Sequence, residues 1–170
     1  MGMPSKLKNM MLFNDGTSYA GQVDEVNLPK LARKTEEVRA GGMNAPVEAD
    51  LGLEKLEMEW TCGGLMRQVL EQFAITKAAG VLLRFAGAYQ RDDTGEVDAV
   101  ELVVRGRHRE IDMGKAKPGD NTEFKVNTAI SYYKLTINGS VVIEIDVPGF
   151  VETVGGVDRL AEQRRALGLA

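Results

Sequence analysis

The chain has 170 residues, 44% of them hydrophobic and 27% charged, with a formal net charge of −4. A chain of this length buries about 70% of its unfolded surface in a single domain and needs no disulfide, and one cysteine, Cys62, permits none within the chain. The acidic balance argues against a protein whose main task is gripping nucleic acid, because that affinity comes mostly from neutralising phosphates with Lys and Arg.

One domain spanning residues 1–170 is expected. The amino terminus, MGMPSKLKNMMLF, lacks the apolar core of a secretory signal. Lys6 stands where a myristoylation pattern needs Ser or Thr. No stretch approaches the roughly 20 apolar residues of a membrane helix, so synthesis and assembly in the cytosol are expected. Residues 7–28 hold two short β-like runs around the turn Asn14-Asp15-Gly16, and Leu28-Pro29 interrupts the pattern. Residues 30–39, KLARKTEEVR, show almost no apolar face at either period. In a lone chain this reads as a solvated edge or loop; the sharper alternative is an extended arm that meets another subunit through alternating charges. Gly41-Gly42 and Pro46 mark an irregular segment.

Residues 53–62 alternate, with Leu56, Met58, Trp60 and Cys62 on one face and Glu57, Glu59 and Thr61 on the other, which predicts a half-buried strand. Gly63-Gly64 closes it. The following LMRQVLEQF predicts a short helix whose stripe is Leu65, Met66, Val69, Leu70 and Phe73. Residues 81–90 and 97–111 predict two strands joined by the polar turn Arg91–Glu96. In the second, Val100, Leu102 and Val104 face inward, while Glu101, Arg105, Arg107 and Arg109 share the other side.

The rest of the chain is organised around residues 122–147. Asn138-Gly139 at its centre is the dipeptide best suited to a two-residue hairpin, because both turn positions need positive φ. Counting outward pairs Thr136 with Val141, Lys134 with Ile143 and Tyr132 with Ile145, which leaves both faces substantially apolar and predicts a cover on each side. In the incoming strand the apolar residues are Phe124, Val126 and Ile130, then Tyr133, Leu135 and Ile137. A strand that exchanges its buried face midway is bent or bulged, as at the corner between crossed sheets. The fold class expected is therefore mainly β (α+β): two orthogonally packed antiparallel sheets, a barrel-like sandwich, with a flanking short helix and a carboxyl-terminal helix. Pro148-Gly149 and Gly155-Gly156 bracket a loop, and residues 157–167 predict that last helix, with Val157, Leu160, Ala161 and Leu167 on its buried side.

Chemistry is sparse. His108, the one histidine, could act as a base, yet no Ser or Cys sits in a nucleophile-elbow context, so it reads as a strand residue near the arginines. Cys62 reads as a packed strand residue. Asp92, Asp93 and Glu96 lack the spacing of a calcium loop and read as a turn. The paired glycines are not followed by Gly-Lys-Ser/Thr, so they are not a phosphate cradle. Asn138-Gly139-Ser140 matches a glycosylation sequon but reads as a turn. Arg105, Arg107 and Arg109 are the one cluster worth weighing as a binding surface; the plainer reading is salt bridging, within the chain or across a subunit boundary. No catalytic, cofactor-binding or metal residue is assigned, and no cofactor is expected.

Taken together the landmarks resemble the major tail tube proteins of contractile bacteriophages and R-type pyocins. The resemblance rests on Leu12-Phe13-Asn14-Asp15-Gly16, Leu28-Pro29-Lys30-Leu31, Arg39-Ala40-Gly41-Gly42-Met43 with Pro46-Val47, and Lys117-Pro118-Gly119 leading to Glu123-Phe124-Lys125. It continues through Ser131-Tyr132-Tyr133-Lys134-Leu135, Glu144-Ile145-Asp146 and Gly156-Val157-Asp158-Arg159-Leu160-Ala161, ending at Leu167-Gly168-Leu169. Gly155 stands where Asn is expected, and either supplies the turn. The resemblance implies a structural protein, not an enzyme. Six copies would form a ring whose strands join into one barrel, and rings would stack into a hollow tube inside a sheath. Implied partners are further copies, the sheath protein, and baseplate and terminator proteins. DNA, or ions in a pyocin, would pass through the lumen without specific binding, past a wall of net charge −24 for six copies at −4. The subunit itself would not insert into a membrane. Two alternatives share the residue-level evidence: the tube of a type VI secretion system, and a monomeric β-barrel binding module using the arginine stripe.

Overall fold

The strand Phe124–Ile137 serves both halves of the molecule, and the other elements are arranged on its two edges. A computed structural model describes residues 2–169. In chain order the strands begin with β1 (Lys6–Asn14), β2 (Thr17–Ser18), β3 (Val23–Asn27), β4 (Arg33–Val38), β5 (Val47–Leu53) and β6 (Leu56–Cys62). Helix α1 (Arg67–Glu71) precedes β7 (Val81–Gln90), β8 (Val97–Asp112), β9 (Phe124–Ile137) and β10 (Ser140–Asp146). Strands β11 (Val151–Val154) and β12 (Val157–Asp158) and helix α2 (Ala161–Ala166) complete the chain.

All pairings are antiparallel, and β9 explains the layout. One edge pairs with β8 along Lys125–Ile137. Its other edge is shared: Phe124–Ile130 pairs with β6, and Tyr132–Ile137 with β10. The buried positions are Phe124, Val126, Thr128 and Ile130, then Tyr133, so the face does change at Ser131 as the sequence pattern requires. The β8–β9 register shifts twice here, between Arg105 and Gly106 and between His108 and Glu110. At Gly106 a Cβ would stand 1.9 Å from the Ala129 carbonyl oxygen, so the strands meet this closely only because that residue has no side chain. One sheet path runs β12-β11-β10-β9-β8-β7-β1-β2, and β3-β6 branches from the first half of β9. The core lies inside this curl, built on Trp60, Phe85, Phe124, Leu12, Met58 and Leu83. The strand over residues 53–62 is as predicted: Leu56, Met58, Trp60 and Cys62 are all buried.

The hairpin differs from the sequence count in an instructive way. Asn138 (φ 50°) and Gly139 (φ 79°) form the expected turn, and Thr136 pairs with Val141. A bulge at Val142 then shifts the register by one, so Ile143 faces Leu135 and Ile145 faces Tyr133, rather than Lys134 and Tyr132. The shift collects Tyr133, Leu135, Ile143 and Ile145 on the core side and leaves Tyr132, Lys134, Glu144 and Asp146 opposite. The sheet is therefore not apolar on both faces here. One residue inserted in a ladder reverses the facing of everything beyond it.

Both helices are shorter than the periodicity predicts. In the first, Met66 and Val69 are buried and Leu70 packs at the core margin, but Leu65 and Phe73 are exposed. At the carboxyl end, Gly155 and Gly156 (φ 61° and 80°) form a tight turn between β11 and β12, so Val157 is a strand residue. Asp158 Oδ1 then accepts the Leu160 amide at 3.1 Å, leading into α2. Val157 and Leu167, expected to be buried, are exposed.

Residues 30–39 are solvated as the sequence reading has it, but 33–38 of them form a paired strand. Strand β4 pairs with β5 in a separate two-stranded sheet, and all six of its residues are exposed. Strand β5 was not legible because VEADLGL has no clean alternation. The hairpin's root is held by Glu54 N donating to Ala32 O at 2.9 Å and by Arg33, which bridges Asp50 and Glu152.

Candidate functional site

His108 lies on β8 as expected, but on the opposite face from the arginines. It is 5% exposed and sits in a polar network inside the barrel. Gln72, at the end of α1, donates through Nε2 to Asn14 Oδ1 at 2.8 Å and Asp15 Oδ2 at 2.9 Å. Its Oε1 then points at Asn14 Nδ2 (2.8 Å) and His108 Nε2 (2.9 Å). Because that oxygen can only accept, the histidine proton is on Nε2. Nδ1 accepts from the Thr128 hydroxyl at 3.0 Å, and Thr128 Oγ1 accepts from Trp60 Nε1 at 3.2 Å. Burial pushes His108 down to about 4, so the neutral ring is the form that fits. This network ties α1, β1, β6, β8 and β9 together. It is a structural joint in which both ring nitrogens have a hydrogen-bond partner.

Cys62 is buried on β6, and burial pushes its thiol up to about 12, far from the range of a reactive thiolate. Asp92 pairs with Lys8 at 2.7 Å, while Asp93 accepts the Met3 and Thr94 amides, both at 2.9 Å, which also holds its carboxyl below the usual range. Among the described residues no group of three or more His, Cys, Asp or Glu is placed to hold a metal. No helix among the described residues is long and apolar enough to cross a membrane.

The outward face of the sheet is mixed: Met11, Ala86, Ala88, Val97 and Ala99 share it with charges that pair between strands. Arg84 reaches Glu101 at 3.3 Å between β7 and β8. Tyr132 donates to Glu144 at 2.6 Å; burial and this carboxylate push its hydroxyl up to about 12. Arg105, Arg107 and Arg109 project together from β8, all exposed. Among the described residues only Arg109 of the three forms an ion pair, with Glu57 at 3.6 Å, which Lys55 shares at 3.0 Å. Large exposed apolar residues include Met11 on β1, Val97 on β8 and Val141 on β10, together with Val38, Val47 and Leu51 on the β4–β5 hairpin, Leu65 and Phe73 beside α1, and Val157, Leu167 and Leu169 at the carboxyl end.

The model of the family described as phage tail tube protein FII matches residues 4–168. The chain belongs to that family. It is 49% identical to the tail tube protein of Escherichia phage P2 over 172 residues, covering 99% of this chain and 100% of that protein. With the major tail tube protein of Serratia phage KSP20 it shares 36% identity over 153 residues, 89% of this chain and 88% of the relative. The fold recurs at 8% identity in a chain of the sheath-tube complex of an extracellular contractile injection system (PVC), with TM-score 0.56 over 75% of this chain and 88% of the other. A chain of that system's sheath/tube terminator aligns with TM-score 0.57, 8% identity, and 76% and 94% coverage. As a phage tail tube protein the chain is a structural component of the virion tail, and the resemblance carried by the sequence landmarks holds along nearly the whole chain.

Sequence reasoning missed the network around Gln72. The available signals were Thr128, a polar residue in the inward row Phe124, Val126, Ile130, and His108, continuing the inward row Leu102, Val104.

Proposed function

We propose that the chain, acting as one domain over residues 1–170, is the wall subunit of the inner tube of a contractile tail. Six copies pair strands across their boundaries to close a ring, and rings stack into a hollow conduit inside a sheath. Baseplate and terminator proteins bound the two ends, and DNA passes without specific contact. The subunit has no catalytic centre, and His108 and Cys62 serve packing.

The observation that carries this reading is the β4–β5 hairpin. An isolated two-stranded hairpin is marginal in water, and this one packs no core of its own while projecting from a well-packed barrel. Such an element is stable when another chain completes it. Closing sheets into a ring barrel also removes edge strands that would otherwise template aggregation. The family match and the injection-system neighbours support the same assembly.

Negative-stain microscopy of concentrated protein, seeded with tube fragments, should show rings or tubes with a central hole. Replacing residues 33–53 by a short Gly-Ser linker should preserve the melting transition and abolish those tubes. A wild-type chain that stays monomeric beside seeds, or a hairpin-deleted chain that still makes tubes, would overturn the proposal.

A further inference from the structure

The turn that closes the β9–β10 hairpin carries more side-chain bonding than a two-residue turn requires. Asn138 N donates to the Ala99 carbonyl at 2.8 Å, and the Ala99 amide donates back to Asn138 Oδ1 at 2.9 Å. The side-chain oxygen thus stands in for a main-chain carbonyl and adds a rung to the β8–β9 ladder beyond the Val100–Ile137 pair. The other half of the carboxamide, Nδ2, donates to Asp98 Oδ1 at 3.0 Å. These partners fix which atom is which, since an amide N–H only donates and a carboxylate only accepts. The start of β8 therefore clasps the whole Asn138 carboxamide.

The same residue is the one asparagine of the chain that is followed by glycine. Both are exposed, and a Cβ at Gly139 would meet no atom within 4 Å. In such a dipeptide the main-chain nitrogen of the glycine, unshielded by any side chain, can attack the carboxamide carbon. A bond forms between Gly139 N and Asn138 Cγ. The Cγ–Nδ2 bond breaks, and Nδ2 leaves as ammonia with the proton that Gly139 N gives up. Water then opens the cyclic imide at either carbonyl, leaving Asp or an isoaspartyl link in which the main chain runs through the former side chain. Ring closure needs the carboxamide free to swing into line with Gly139 N, and the rate of such a reaction falls steeply when the reacting atoms are held out of alignment.

We propose that Asn138 is a deamidation site that the Asp98–Ala99 clasp keeps closed in the folded chain. Fraying of β8 from the turn opens it. Refolding does not undo the conversion, because the product carries a carboxylate where Nδ2 met Asp98, and two carboxylates at hydrogen-bond distance repel. An isoaspartyl product also adds a main-chain atom to a turn whose length sets the register of the hairpin. Asp98 is the positioning residue, and water is the only co-reactant.

Incubation at neutral pH tests it, with tryptic fragment 135–159 followed by mass spectrometry for exchange of amide for acid. The folded chain should convert at least about tenfold more slowly than the same chain in guanidinium. Folded Asp98→Ala should convert severalfold faster than the folded wild type. Asn138→Asp should lower the melting temperature at neutral pH, and adding Asp98→Ala should restore most of that loss. Where Asp98→Ala does not fold, the guanidinium comparison on the wild-type chain carries the test alone. Equal rates in the folded and unfolded chain, a folded Asp98→Ala chain as slow as the wild type, or an Asn138→Asp penalty that survives the removal of Asp98 would overturn the inference.

Discussion

The barrel and the β4–β5 hairpin obey different rules within one chain. In the barrel, Trp60, Met58, Cys62 and Val69 are completely shielded and the buried polar atoms of Asn14, Gln72, His108 and Thr128 partner one another. In the hairpin every residue of β4 is exposed and cross-strand neighbours include two glutamates. The barrel is specified by its own interior, so its sequence follows strict periods. The hairpin buries little within the chain, so its sequence follows none. The contrast separates what makes this protein fold from what makes it assemble.

The largest effect that could break this contrast is at Trp60. Trp60→Ala should remove about 3–5 kcal/mol of stability and take from Thr128 Oγ1 the bond it accepts, lowering the thermal transition and preventing assembly. A small loss would mean that the barrel is not self-sufficient. Acid should come next. His108 titrates at about 4 when folded and near 6.5 when unfolded. The unfolded chain therefore binds the extra proton: stability is complete above pH about 6.5, falls as pH drops through this window, and levels off below about 4, for a total of about 3 kcal/mol. Denaturant midpoints from pH 7 to 4 would measure it, and in His108→Gln the slope between pH 7 and about 5 should vanish, leaving only that of the carboxylates nearer pH 4. Gly106→Ala should cost about 1–3 kcal/mol, because its Cβ would meet the Ala129 backbone; a cost much smaller than this would mean the bend relaxes freely. The smallest effect is Arg33→Ala. Arg33 and Asp50 are half-exposed, so the global stability change should stay within about 0.5 kcal/mol. Tryptic cleavage at Lys34 and Arg39 should nonetheless quicken, since Arg33 is the only ion-paired link between hairpin and barrel among the described residues. Unchanged cleavage would show that the root is held by other contacts.

The same contrast explains what could be read from residues alone. Strand β6 was legible because a half-buried strand has to alternate, and Leu56, Met58, Trp60 and Cys62 do. The bend in β9 was legible because the exchange of buried face is written in Val126, Ile130 and Tyr133. The Val142 bulge was not, since a periodic count carries no mark for one inserted residue. The helical stripe marked Leu65 and Phe73 as apolar correctly, but periodicity cannot tell whether the cover comes from the same chain or another. Val157 illustrates a competition: it fits a helical face, yet the Gly155-Gly156 turn returns it to β11 first. The buried histidine network was hidden because hydrogen bonds among Asn14, Gln72, His108 and Thr128 join positions far apart in sequence.

Strand β9 has a mechanical consequence. One unbroken backbone runs through both halves and stays paired with β8 along its length. A pull along that backbone loads the rungs of the β8–β9 ladder simultaneously, in shear, instead of peeling them apart in sequence. A wall panel stitched in this way should yield at the joints between panels before its own weave tears.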